Sequence, residues 1–120
     1  MKIPYFKQEK DYYCGPTIMQ MALASFGIKK SQKNLARLLK TKDDNIGTKN
    51  KMMIKLAKKY FKTIKQNQNQ NKSLKRIQNY LKQNCLIITT YFYEPDKTGH
   101  FAIIKKITKT HIYLIDPEKG

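Results

Sequence analysis

The chain changes its hydrophobic period once, after Gln83, and that change limits what it can fold into. Before it, apolar residues recur at helical spacing; after it come short β-branched and aromatic runs. Ile18, Met21, Ala22 and Ser25-Phe26 predict a first helix that begins near Pro16 and is closed by Gly27. Ser31 is placed to cap a second helix carrying Leu35, Leu38 and Leu39. After a polar loop from Thr41 to Gly47, Thr48 is placed to cap a third helix with Met52, Met53, Leu56, Ala57 and Tyr60 on one face. Ser73 would cap a fourth, with Leu74, Ile77, Tyr80 and Leu81. The low-complexity run 66–71 between the third and fourth helices is read as an exposed loop. Strands are expected over 85–92, 100–107 and 111–116, with a loop at 94–99 and a turn at 108–110. Helices followed by an antiparallel meander make an α+β domain, with the N-terminal helices packed on a small sheet. At 120 residues, the whole chain, 1–120, reads as one domain with a modest core.

Composition removes several function classes. The apolar runs are too short to span a bilayer, and residues 1–8 carry no secretory pattern. The two cysteines, Cys14 and Cys85, lie far apart and form no disulfide framework, which points to a reducing, cytoplasmic compartment. The formal net charge of +17 raises the idea of a basic polyanion-binding module. Arginine is limited to Arg37 and Arg76, and the lysines are spread from Lys2 to Lys119. Recognition of bases or phosphates by paired hydrogen bonds favours arginine, so a specific nucleic-acid partner is not expected.

Cys14 lies in Tyr13-Cys14-Gly15-Pro16, at the expected start of the first helix. A thiol there feels the positive end of the helix dipole, which favours the thiolate. Folding 100–107 against 111–116 about the 108–110 turn brings His100 opposite Asp116, or within a residue of it. The same hairpin pairs His111 near Lys106 and leaves it at the turn end, exposed. The chemistry then assigns roles: Cys14 as nucleophile, His100 as its base, Asp116 as the group that orients the imidazole. Gln8, with the backbone N–H of Cys14, would form an oxyanion hole. A helix terminus contributes only about 0.3–1 kcal/mol, less than one pKa unit. Pairing with a histidinium lowers a cysteine pKa much further, so His100 is the main activator. Cys85, in an apolar strand, reads as a small buried hydrophobe. A zinc site from Cys14, Cys85, His100 and His111 has the right residue types but lacks the short Cys–Cys and His–His spacings, so no metal is expected.

Gln8, Cys14-Gly15-Pro16, His100-Phe101-Ala102 and Asp116-Pro117, in this order, resemble the bacteriocin-processing peptidases, family thirty-nine of the cysteine peptidases. The six-residue Gln-to-Cys and sixteen-residue His-to-Asp intervals fit that family. So do the segment 31–39 and the later Ile46-Gly47-Thr48. The resemblance implies a papain-like fold and thiol-dependent cleavage of a peptide bond, in leader-peptide or polypeptide processing. It implies no cofactor, a peptide or protein substrate, and association with an export transporter. Relatives that cleave double-glycine leaders are often the N-terminal domain of an export ATPase; no transmembrane or nucleotide-binding segment follows in these residues. Relatives also usually continue past Asp116-Pro117 into a further strand, so the domain is expected to end short at that sheet edge. The alternative within the same resemblance is a peptidase-like domain that binds a peptide without cutting it.

Overall fold

The computed structural model describes residues 2–44, 47–63, 70–93 and 98–117. Four helices precede three strands: α1 (Cys14–Ser25), α2 (Gln32–Leu38), α3 (Asn50–Tyr60), α4 (Gln70–Lys82), β1 (Ile88–Tyr93), β2 (Thr98–Ile107) and β3 (Ile112–Ile115). The strands form one antiparallel sheet in the order β1-β2-β3. The expected α+β arrangement is the one observed.

The first helix is the centre of the molecule. Gly15 to Met19 and Met21 to Leu23 are all buried, so α1 is enclosed on nearly every side instead of along one stripe. It packs on α2, α3 and β2. Ile18, Met19, Met21 and Leu23 join Leu35, Leu39, Met53, Leu56, Phe101 and Ile103 in one core cluster. Each large aliphatic side chain buried there stabilises the fold by about 1.5–3 kcal/mol. Gly27 ends the helix at a φ of +80°, a left-handed conformation that glycine adopts without a Cβ penalty.

Ser31 caps α2 as expected: its hydroxyl accepts from the Asn34 N–H at 3.1 Å. Thr48 does not cap α3. The helix starts at Asn50 after Lys49, and the Thr48 hydroxyl bonds Thr41 Oγ1 at 2.8 Å. α4 begins at Gln70, so position 73, expected before the helix, falls inside it. α4 leaves Leu74 exposed and Ile77, Tyr80 and Leu81 half-buried. Residues 66–69 of the low-complexity run and 94–97 of the loop before β2 lie outside the described residues.

The sheet corrects three details of the sequence reading. β1 starts at Ile88, so Cys85 is not in a strand; it is exposed in the turn after α4, its N–H donating to Tyr80 O at 3.0 Å. Asp116 does not lie directly opposite His100. Ile103 pairs with Ile115, which sets Asp116 level with Ala102, two residues along β2 from His100 and on the same face. An irregularity between Ile104 and Lys106 shifts the pairing by one towards the turn, so His111 closes on Thr108 and not on Lys106. His111 is exposed, as expected, with its Nδ1 2.7 Å from Thr110 Oγ1.

Candidate active site

The sequence places a thiol at the start of α1, and the local packing holds that start firmly. Cys14 is the first residue of the helix and is partly buried against the core cluster. A helix supplies no acceptor of its own for the N–H groups of its first turn. Tyr13, the N-cap, makes no side-chain cap; instead its carbonyl accepts from both the N–H and the hydroxyl of buried Thr17, at 3.0 and 2.7 Å. Gly15 lets the turn approach the segment before α3. A methyl group on Gly15 would lie 2.5 Å from Thr48 Oγ1 and 2.7 Å from its Cβ, which no real contact tolerates. The tripeptide Cys-Gly-Pro therefore has a steric reason for its middle residue.

His100 and Asp116 are linked through a residue that the sequence reading did not include. Tyr91 of β1 pairs directly with His100 of β2, and the two rings stack at 5.3 Å and 22°. The Tyr91 hydroxyl reaches on to β3 and donates to Asp116 Oδ2. One tyrosine thus spans the sheet face from the imidazole to the carboxylate. The sequence alone does not give this pairing: a fold centred on the 94–99 loop sets position 93 opposite His100, whereas the observed register places Phe92 against Gly99 and so brings Tyr91 to His100.

Gln8 comes to the same corner by its backbone. Its N–H donates to Pro117 O at 3.1 Å, next to Asp116. The Tyr5 hydroxyl lies 3.3 Å from Asp116 O and 3.2 Å from Pro117 O and donates between them. The Gln8 side chain donates from Nε2 to Asp11 O at 3.1 Å, which engages one of its two N–H groups. Its Oε1 is buried without a hydrogen-bond partner among the described residues. Such an orphan costs about 1–3 kcal/mol and is the kind of exception that functional positions carry.

Gln32, on the first turn of α2, is the buried polar residue beneath this corner, only 1% exposed. Its Nε2 donates to Lys7 O and to Gln20 Oε1, both at 3.0 Å, and its Oε1 accepts from Glu9 N–H at 2.9 Å. Nothing in the sequence distinguishes it from a solvent-facing helix residue.

The chemistry such an arrangement can perform is acyl transfer: a thiol at a helix start, an imidazole stacked on a tyrosine that bonds a carboxylate, and a carboxamide on a tethered extended segment. Among the described residues no three His, Cys, Asp or Glu side chains converge as metal ligands. A hollow of about 730 Å³ lies elsewhere, between α1, α3, β1 and β2, with Met19, Met53, Ile88 and Phe101 in its lining; Gln8, Cys14, His100 and Asp116 do not line it. Among the described residues no helix is long and apolar enough to cross a membrane.

Comparison with known proteins places this fold. A solved double-glycine motif protease from an AMS/PCAT transporter, in complex with its leader peptide, shares the fold at a TM-score of 0.59 and 20% identity. The match covers 99% of this chain and 76% of that one. No curated protein matches the sequence significantly. The model of the Peptidase C39-like family matches residues 1–120, the full length, and the chain belongs to that family.

Proposed function

We propose that the chain is a cysteine peptidase in which Cys14, His100, Asp116 and Gln8 carry the reaction. Cys14 Sγ attacks the carbonyl carbon of a peptide bond after its proton passes to His100. The oxyanion that forms accepts hydrogen bonds from the Gln8 amide and the Cys14 N–H. Collapse breaks the C–N bond, and His100 returns the proton to the leaving amine. Water, deprotonated by His100, then attacks the thioester and releases the acid and the thiol. Asp116 holds the imidazole in the tautomer and orientation this sequence needs. The observation that carries the reading is the line Asp116–Tyr91–His100 across one sheet face, joined at Pro117 to the backbone of Gln8.

The structural neighbour, a double-glycine motif protease from a transporter in complex with the leader peptide, supports a leader peptide with a double-glycine motif as the substrate class and a transporter as partner. The test is made in a Cys85→Ser background, which removes the exposed second thiol. Iodoacetamide at about pH 6 should alkylate Cys14 rapidly, since an ordinary thiol is mostly protonated there. His100→Ala should slow that alkylation at least tenfold and abolish release of fluorophore from a Gly-Gly-coumarylamide peptide. Alkylation unaffected by His100→Ala would overturn the ion pair. Binding of the peptide without release would overturn hydrolysis in favour of a peptide-binding domain.

A further inference from the structure

We infer that Gln32 is the positioning residue for Gln8, a role that rests on the proposed part of Gln8 in the oxyanion hole. The direction of the Gln8 side chain is set by the two peptide planes that flank its Cα. The carbonyl of Lys7 belongs to the first plane and the N–H of Glu9 to the second. Gln32 holds both: its Nε2 donates to Lys7 O and its Oε1 accepts from Glu9 N–H. One planar carboxamide bonded to both sides fixes φ and ψ of the residue between them.

Two further contacts make the grip specific. The second N–H of Gln32 Nε2 donates to Gln20 Oε1, on the helix that Cys14 begins. That bond fixes which end of the amide faces which peptide, because a turned amide would set oxygen against oxygen. The first peptide plane is also held from its other side, where Gln8 N–H donates to Pro117 O. Gln32 thus ties the Gln8 segment to α1, while Pro117 ties it to the strand end that carries Asp116. A buried carboxamide with all three contacts made is stable, whereas an apolar side chain there would leave the Lys7 carbonyl and the Glu9 N–H unpaired. Asparagine is one methylene shorter and cannot make the same reach.

The test separates positioning from mere folding by using two reactions of the same thiol. Hydrolysis of p-nitrophenyl acetate passes through a tetrahedral oxyanion; alkylation by iodoacetamide is a displacement at a saturated carbon and needs no oxyanion hole. In the Cys85→Ser background, Gln8→Ala should slow ester hydrolysis by about 10²–10³-fold. Gln32→Met, of similar length and without hydrogen bonds, should slow it by about 10–10²-fold, the size expected for a small misplacement of a catalytic group. Both variants should alkylate at Cys14 within twofold of the parent. In the double variant Gln32→Met should add less than a twofold loss to that of Gln8→Ala. If Gln32→Met does not fold, Gln20→Met, which frees the amide without unpairing the backbone, is judged by the same criterion with a several-fold loss expected.

A Gln32→Met loss that multiplies in full on top of Gln8→Ala overturns the inference alone. So does a loss matched by equal slowing of alkylation, which would mean that Cys14 itself had moved. Wild-type ester hydrolysis in Gln8→Ala overturns both the inference and the reading of Gln8 beneath it.

Discussion

Tyr91 is the residue that changes most between sequence and structure. Its ring stacks on His100 and its hydroxyl donates to Asp116, so it sets the plane of one group and the direction of the other. Tyr91→Phe keeps the stack and removes the donor. Peptide hydrolysis should fall about tenfold, through loosened orientation of the carboxylate, while the ring contact persists. Tyr91→Ala should fall further; equal rates for the Phe and Ala variants would assign the whole effect to the hydroxyl. The position of Cys14 at the start of α1 was legible from Pro16 and the apolar spacing that follows it. His100 was separable from His111 by hairpin geometry, because the turn fixes which end of each strand lies near Asp116. Tyr91 was not legible, because the loop length between β1 and β2 does not fix their register, and the carboxylate was expected one or two residues nearer to His100 than it lies. Gln32 was not legible at all. A buried glutamine looks like a surface one until the backbone that it bonds is brought beside it from residues 7 and 9.

At the scale of elements, α1 carries Cys14; its first turn is held by the Thr17 hydroxyl on Tyr13 O and lies against Thr48, which bonds Thr41. Gly15→Ala should destabilise the protein by about 1–3 kcal/mol, the cost of forcing an atom into a filled contact. Urea unfolding measures this, and a loss below about 0.5 kcal/mol would mean that Thr48 yields without strain. Ser31→Ala should cost about 1 kcal/mol through the lost cap on α2. Helix existence and order were readable because the apolar spacing is strong in α1 to α3. Cap identity was readable only where the hydroxyl has no better partner: Ser31 caps, whereas Thr48 turns to Thr41. The strand prediction began three residues early, at Cys85, since an apolar run before a sheet has the same composition as the strand that it leads into.

For the whole molecule, 25 basic residues against 8 acidic ones set a field that the fold must bear. Like charges repel in the compact state, and salt screens them: the Debye length falls from about 30 Å at 0.01 M to about 8–10 Å near 0.1–0.15 M. The melting temperature should rise across that range, by about 4 °C for each kcal/mol recovered. A fall would show that favourable ion pairs outweigh the repulsion. The enclosure of α1 has a different consequence. A helix with eight buried residues, packed on two helices and a strand, cannot swing or slide without opening the core. Its inner amides should exchange with deuterium only through global unfolding, at the slowest rate in the protein. Cys14, at the head of this helix, is therefore a fixed point. Any control over this centre must act on what approaches the thiol, on the sheet face or on the N-terminal segment that carries Gln8, and never by withdrawing the thiol itself.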